Sequence, residues 1–144
     1  MIKIRASCSV VGDKFSPTVF AKISPVKLIA VNEPGEIGNS GRYKGKPTPY
    51  GAATIEVSHK AEKDWSRFDD LLTVLESCID ALREAGAEDI TLMCSLFHDG
   101  QCNFGFSQDE LKRIAALKVD LPISCYNDDL LPENEKMNPR ANPS

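Results

Sequence analysis

The chain has 144 residues, of which 42% are hydrophobic and 26% charged, and a formal net charge of -4. That length supports one core without disulfide or metal staples, and the acidic balance argues against general nucleic-acid affinity, which needs clustered Lys and Arg to neutralise phosphate. No apolar run approaches the roughly 20 residues that span a bilayer, so membrane insertion is not expected.

Ile2, Ile4, Ala6, Cys8 and Val10 alternate with Lys3, Arg5, Ser7 and Ser9, the period of two expected of a strand with one buried face. Gly12-Asp13 turns the chain. Ser16-Pro17 then supplies an N-cap and a proline at the first helical position, where the missing amide hydrogen costs nothing. A short helix should follow and end before Ser24-Pro25, with Val19, Phe20 and Ile23 toward the sheet.

Val26 to Val31 reads as a strand. Asn32 to Gly51 breaks the pattern with five glycines and three prolines, and a loop of that length is uncommon unless it binds something or is disordered. Strand character resumes from Ala53 to Ser58. Phe68, Leu71, Leu72, Leu75, Cys78, Ile79, Leu82 and Ala85 recur at helical spacing, predicting a long helix over 67–85. Ser66 with Asp69 resembles a capping box, and Gly86 is placed to end the helix in a left-handed conformation.

From Ile90 to Tyr126 the sequence predicts an apolar strand, an Asp99-Gly100 hairpin turn, a return strand, a Ser107-capped helix and a closing strand. Asp-Gly favours a two-residue turn because both central positions need positive φ. The resulting register sets His98 opposite Gln101, Phe97 opposite Cys102, Ser95 opposite Phe104 and Met93 opposite Phe106. Met93, Phe97, Cys102, Phe104 and Phe106 would then share a core face, with Cys94, Leu96 and His98 on the other. Pro122 puts the last strand at an edge or at its own beginning. The expected architecture is α+β, an antiparallel or mixed sheet of about five or six strands against one long and two short helices. One domain over 1–126 and a mobile acidic, proline-containing tail over 127–144 complete the reading. The segments FSPTVFAKI and FSQDELKRI echo one another as capped short helices, which converge easily without duplication.

The cysteines, Cys8, Cys78, Cys94, Cys102 and Cys125, are odd in number and follow no repeated spacing, and no secretory apolar region precedes them. A reducing cytosol fits that pattern. A zinc site of Cys94, His98 and Cys102 fails on a strand, where four residues span roughly 13 Å and metal ligands sit about 2 Å from the ion. In the hairpin register Cys102 also points to the opposite face. A nucleophilic cysteine needs an exposed thiolate beside a base, whereas Cys8, Cys78 and Cys102 fall on apolar faces, as does Cys125. His98 and His59 read as solvated flanks of a turn and a strand end. No metal and no cofactor is expected.

The loop segment GRYKGKPTPYG lacks a phosphate-binding pattern, since Ser40 stands where glycine is needed, Pro47 where Ser or Thr is needed, and a strand follows in place of a helix. What it offers is a basic and aromatic surface of Arg42, Tyr43, Lys44, Lys46 and Tyr50, residue types that include those enriched at protein anchors. Asp69-Asp70 and Asp128-Asp129 point apart as sequence neighbours and make no acid/base pair.

The run NFGFSQDELKRIAALKVDLPISCY resembles the C-terminal half of a bacterial family known as domain of unknown function 4279. The likeness extends over Ile2 to Tyr126 through VVGDKFSP, Tyr43-Lys44-Gly45 and the helix from Phe68 to Ala85. It implies a bacterial cytosolic protein and brings no established catalytic residues. Two functions follow as expectations. The first is a protein-interaction module, of an immunity-like or inhibitory kind, contacting its partner through Arg42, Tyr43, Lys44, Lys46 and Tyr50. The alternative is a small-ligand-binding domain or enzyme using Cys94, His98, Gln101 and Asn103 at the polar end of the 90–106 hairpin. A homodimer is compatible with either.

Overall fold

The opening alternation forms the central strand of the sheet. The computed structural model describes residues 2–57 and 65–127, and β1 (Ile2–Gly12) buries Ile4, Cys8 and Val10 while Lys3, Arg5, Ser7 and Ser9 face the other way. The elements follow as α1 (Pro17–Ile23), β2 (Ile29–Asn32), β3 (Gly51–Glu56), α2 (Trp65–Glu84), β4 (Asp89–His98), α3 (Gln108–Leu117) and β5 (Ile123–Asn127). The sheet order is β2-β3-β1-β4-β5. Every pairing is antiparallel except β4 with β5, which is parallel. The expected α+β class is therefore correct, with a five-stranded mixed sheet.

All three helices contribute to one face of that sheet. Phe20 of α1, the stripe Phe68, Leu71, Leu72, Leu75, Cys78, Ile79 and Leu82 of α2, and Ile114 and Leu117 of α3 bury against Cys8, Val10, Ala53, Ile55, Ile90 and Leu92. Burial of this apolar surface is the main stabilising term. Polar ties fix how the helices lie. Arg113 of α3 reaches Asp69, Thr73 and Glu76 of α2, and Arg83 donates to the Leu117 and Lys118 carbonyls that α3 leaves unpaired at its end.

The caps explain the boundaries. Ser16 accepts from the Val19 amide with Pro17 in the first turn, and Ser107 with Glu110 forms a reciprocal capping box. Gly86, at φ +102°, ends α2 through Ala87 N–H to Leu82 O and Gly86 N–H to Arg83 O, the paired bonds of a Schellman motif. The expected Ser66 cap is a correction, because α2 begins at Trp65 and places Ser66 inside its first turn. His59 and the expected tail lie outside the described residues, apart from Asn127, which ends β5.

The larger correction concerns the hairpin. Asp99 and Gly100 bend the chain, but residues 101–107 form no strand. The free edge of β4 is filled by β5, in register from Cys94 with Ile123 to His98 with Asn127. None of the expected return pairs, such as Phe97 with Cys102 or Met93 with Phe106, therefore exists. The segment lies over the helix side of the sheet. Phe106 packs on the main core with its ring 4.9 Å from Phe68, and Phe104 and Cys102 pack on Ile4, Cys94 and Leu96. The apolar residues at 102, 104 and 106 thus gain burial by covering the sheet, a demand that pairing with β4 would not meet. The expected common face of Met93, Phe97, Cys102, Phe104 and Phe106 is split, with Met93 43% exposed on the side away from the helices.

Candidate functional site

The long segment between β2 and β3 is an ordered, hydrogen-bonded platform. Its frame starts with Asn32, whose side-chain amide donates to the Tyr50 carbonyl at 2.9 Å and to Thr48 Oγ1 at 3.2 Å. Thr48 is the buried polar residue of the described core, and its hydroxyl donates to the Glu36 carbonyl at 3.0 Å. Burial without such partners would cost about 1–3 kcal/mol. Backbone bonds then cross-brace the loop, from Gly35 to Thr48 at 2.7 Å, Thr48 to Glu36 at 2.8 Å, Gly38 to Lys46 at 2.9 Å and Gly45 to Gly38 at 2.9 Å. A Cβ on Gly38 would sit 2.4 Å from the Tyr43 carbonyl oxygen, so the close approach requires glycine there.

Glu33 joins this platform to the first helix. Its Oε1 accepts from the Thr18 amide at 2.8 Å and from Ser16 Oγ at 3.1 Å. Burial pushes the carboxyl up, but the bonds from Thr18 and Ser16 outweigh it and hold the group below the usual glutamate range. The negative charge also meets the amide end of α1, where an anion is favoured.

On this frame the residues expected from sequence come partly together. Arg42, Tyr43 and Tyr50 line one cleft of about 1100 Å³, along with Val31, Ile37 and Asn39. The Tyr43 and Tyr50 rings meet edge to face at 5.9 Å, and the Arg42 guanidinium lies 5.7 Å from the centre of the Tyr43 ring. No carboxylate among the described residues pairs with Arg42. Lys44 and Lys46 are exposed on the same loop but do not line the cleft. Their contribution there is backbone bonding and peripheral positive charge. A second groove of about 580 Å³ runs beside it between α1 and the segment leading into β2, and it shares Val31 with the first.

Sequence reasoning missed Val31 and Ile37, which are 53% and 57% exposed. Each was readable as an apolar residue in or beside a glycine-rich loop, a position with no core face to serve. The frame residues Asn32, Glu33 and Thr48 carry no comparable signal, because their partners lie up to 18 positions away.

The alternative set is distributed differently. Cys94 is 2% exposed beneath Cys102, and burial first, then the neighbouring Cys125, pushes its thiol up to about 11. His98 Nδ1 donates to the Gly100 carbonyl at 2.8 Å, and the Gln101 amide donates to Asn103 at 3.3 Å. These polar groups therefore serve the bend of the chain after β4. Among the described residues no cluster of His, Cys, Asp and Glu suits a metal ion.

The cysteines divide into two groups. Cys8 and Cys78 are buried between β1 and α2, with thiols pushed by burial to about 12 and about 11, the first also by the second. Neither suits a nucleophile. Cys94, Cys102 and Cys125 gather at the β5 side of the sheet, which corrects the expectation that Cys102 faces away from Cys94.

No family model, curated protein or solved structure matches the chain. No helix of the described residues is long and apolar enough to cross a membrane.

Proposed function

We propose that the chain is a protein-interaction module that grips its partner in the cleft of the loop between β2 and β3. The observation that carries this reading is the joining of Arg42, Tyr43 and Tyr50 with exposed Val31 and Ile37 on a cross-braced loop. Aromatic and arginine anchors supply the largest binding terms at protein interfaces. A loop already fixed by hydrogen bonds loses less conformational freedom on association than a mobile one. Arg42, Lys44 and Lys46 give this surface positive charge, so the partner is a protein offering acidic and apolar groups together. An inhibitory or immunity-like role in a reducing cytosol suits such a surface, and we propose kinship with the bacterial family known as domain of unknown function 4279, which brings no catalytic residues to the cleft.

The test is native-state complex formation in cytosol from the source cell, read as a shift in complex mass. The double variant Arg42→Glu with Tyr43→Ala should weaken the complex about 100-fold or more, in line with losing two anchors, while the thermal midpoint stays unchanged. Raising salt should weaken it further, because exposed charge is screened. Equal complex formation by the double variant refutes the assignment of this surface.

A further inference from the structure

The β5 side of the sheet brings three cysteines from separate segments into one neighbourhood. Cys94 lies in β4 and Cys125 in β5, where Leu96 is the register partner of Cys125. Side chains of partnered residues share a face, and residues two apart along a strand share it too, so Cys125 projects on the same side as Cys94 and Leu96. Cys102, on the segment crossing that face, packs against Ile4, Cys94 and Leu96. Leu96 is thus the shared neighbour, touched by Cys102 and paired in register with Cys125, which puts the two cysteines at the same edge of the sheet. Partial desolvation, then the charge and hydrogen-bonding reach of Cys125, raise the Cys102 thiol above its ordinary value.

Access grades these thiols in order. Cys125 is exposed, Cys102 half-buried and Cys94 buried. Residues 101–107 belong to no helix or strand, so Cys102 can approach Cys125 without breaking a strand pairing. A disulfide needs its two sulfurs about 2 Å apart with Cα atoms within roughly 7 Å. Movement of the crossing segment is the adjustment available to reach that geometry.

We infer that Cys102 and Cys125 form a reversible disulfide site, closed by thiol-disulfide exchange with a low-molecular-weight disulfide. In the first step the exposed Cys125 loses its proton and attacks one sulfur of the small disulfide, forming a mixed disulfide and releasing one small thiolate. Cys102 then loses its proton and attacks the Cys125 sulfur, expelling the second small thiolate. Two protein thiols become one disulfide, one small disulfide becomes two small thiols, and the two protons pass to the released thiolates. The new bond joins the crossing segment to the edge strand around a loop of about two dozen residues, a constraint that disfavours the unfolded chain. A small thiol in excess reverses both steps.

The experiment incubates the folded full-length protein with glutathione disulfide and follows intact mass, peptide connectivity without reduction, and thermal midpoint. The expected product has lost two hydrogens, links Cys102 to Cys125, melts on the order of 5 °C or more higher, and reverts with dithiothreitol. Cys125→Ser should abolish the link, whereas Cys94→Ser should leave it intact. Cys8 and Cys78 should stay reduced, because both are buried in the core. A mixed disulfide on Cys125 that never closes, a Cys94–Cys125 link, or a disulfide between two chains as the main product would each overturn the assignment.

Discussion

The two ends of the sheet are finished by different physical means. At the β2 end, residues 33–50 are held by hydrogen bonds through Asn32, Glu33 and Thr48, and the apolar side chains Val31 and Ile37 are left outside. At the β5 end, residues 101–107 are held by Phe104 and Phe106 packing inward, with the polar side chains of Gln101 and Asn103 paired outside. A polar frame frees its apolar groups to meet a partner, while an apolar cover spends them on its own fold. That contrast is why we place recognition at the first end and a covalent modification at the second.

Substitutions can break the contrast, and the largest effect should come from the aromatic cover. Phe106→Ala removes a half-buried ring that packs against the core and should cost about 3 kcal/mol in urea unfolding, with no effect on the cleft at the opposite edge. A loss under about 1 kcal/mol would mean that the segment is held by something other than packing. Gly51→Ala comes next, because its Cβ would fall 1.7 Å from the Phe15 carbonyl oxygen. Backbone must move to admit it, and a cost of roughly 2–3 kcal/mol is expected.

The polar frame should respond more gently. Thr48→Val removes the buried hydroxyl and leaves Asn32 and the Glu36 carbonyl short of a partner, costing about 1–2 kcal/mol and speeding amide exchange in residues 33–50. If exchange in that loop did not change, Thr48 would not be holding it. Ser107→Ala, which deletes half of the capping box, should cost about 1 kcal/mol and leave the loop untouched. Smallest is the acid response of Glu33. Its folded-state pKa is lowered, so its contribution is present above the ordinary glutamate value of about 4.3 and is lost as pH falls through the folded value. Protection of the Thr18 amide, taken relative to its intrinsic exchange rate at each pH, should therefore fall as pH drops through that lowered value, and Glu33→Gln should blunt the change.

Much of the fold was legible where a residue's demand is local. The alternation of β1, the apolar stripe of α2, Ser107 with Glu110, and Gly86 each announce their structure within a few positions. The hairpin was misread because an apolar alternation at 102, 104 and 106 states that one side is buried without stating against what. Here the answer is the helix side of the sheet, and β5 takes the edge through a β4-α3-β5 crossover. For the site, Arg42, Tyr43 and Tyr50 were readable by residue type, but the Asn32 and Thr48 bonds that shape the cleft arise only after folding.

The most direct test places a photo-crosslinking side chain at Ile37, in the cleft, and separately at Met93, on the sheet face away from the helices, in the living source cell. Both positions are exposed, at 57% and 43%, so chance encounters should label them alike. A discrete protein adduct is expected from position 37, disappearing when Arg42→Glu is added, with no such adduct from position 93. The same adducts from both positions, or an adduct at position 37 indifferent to Arg42, would contradict recognition at the cleft.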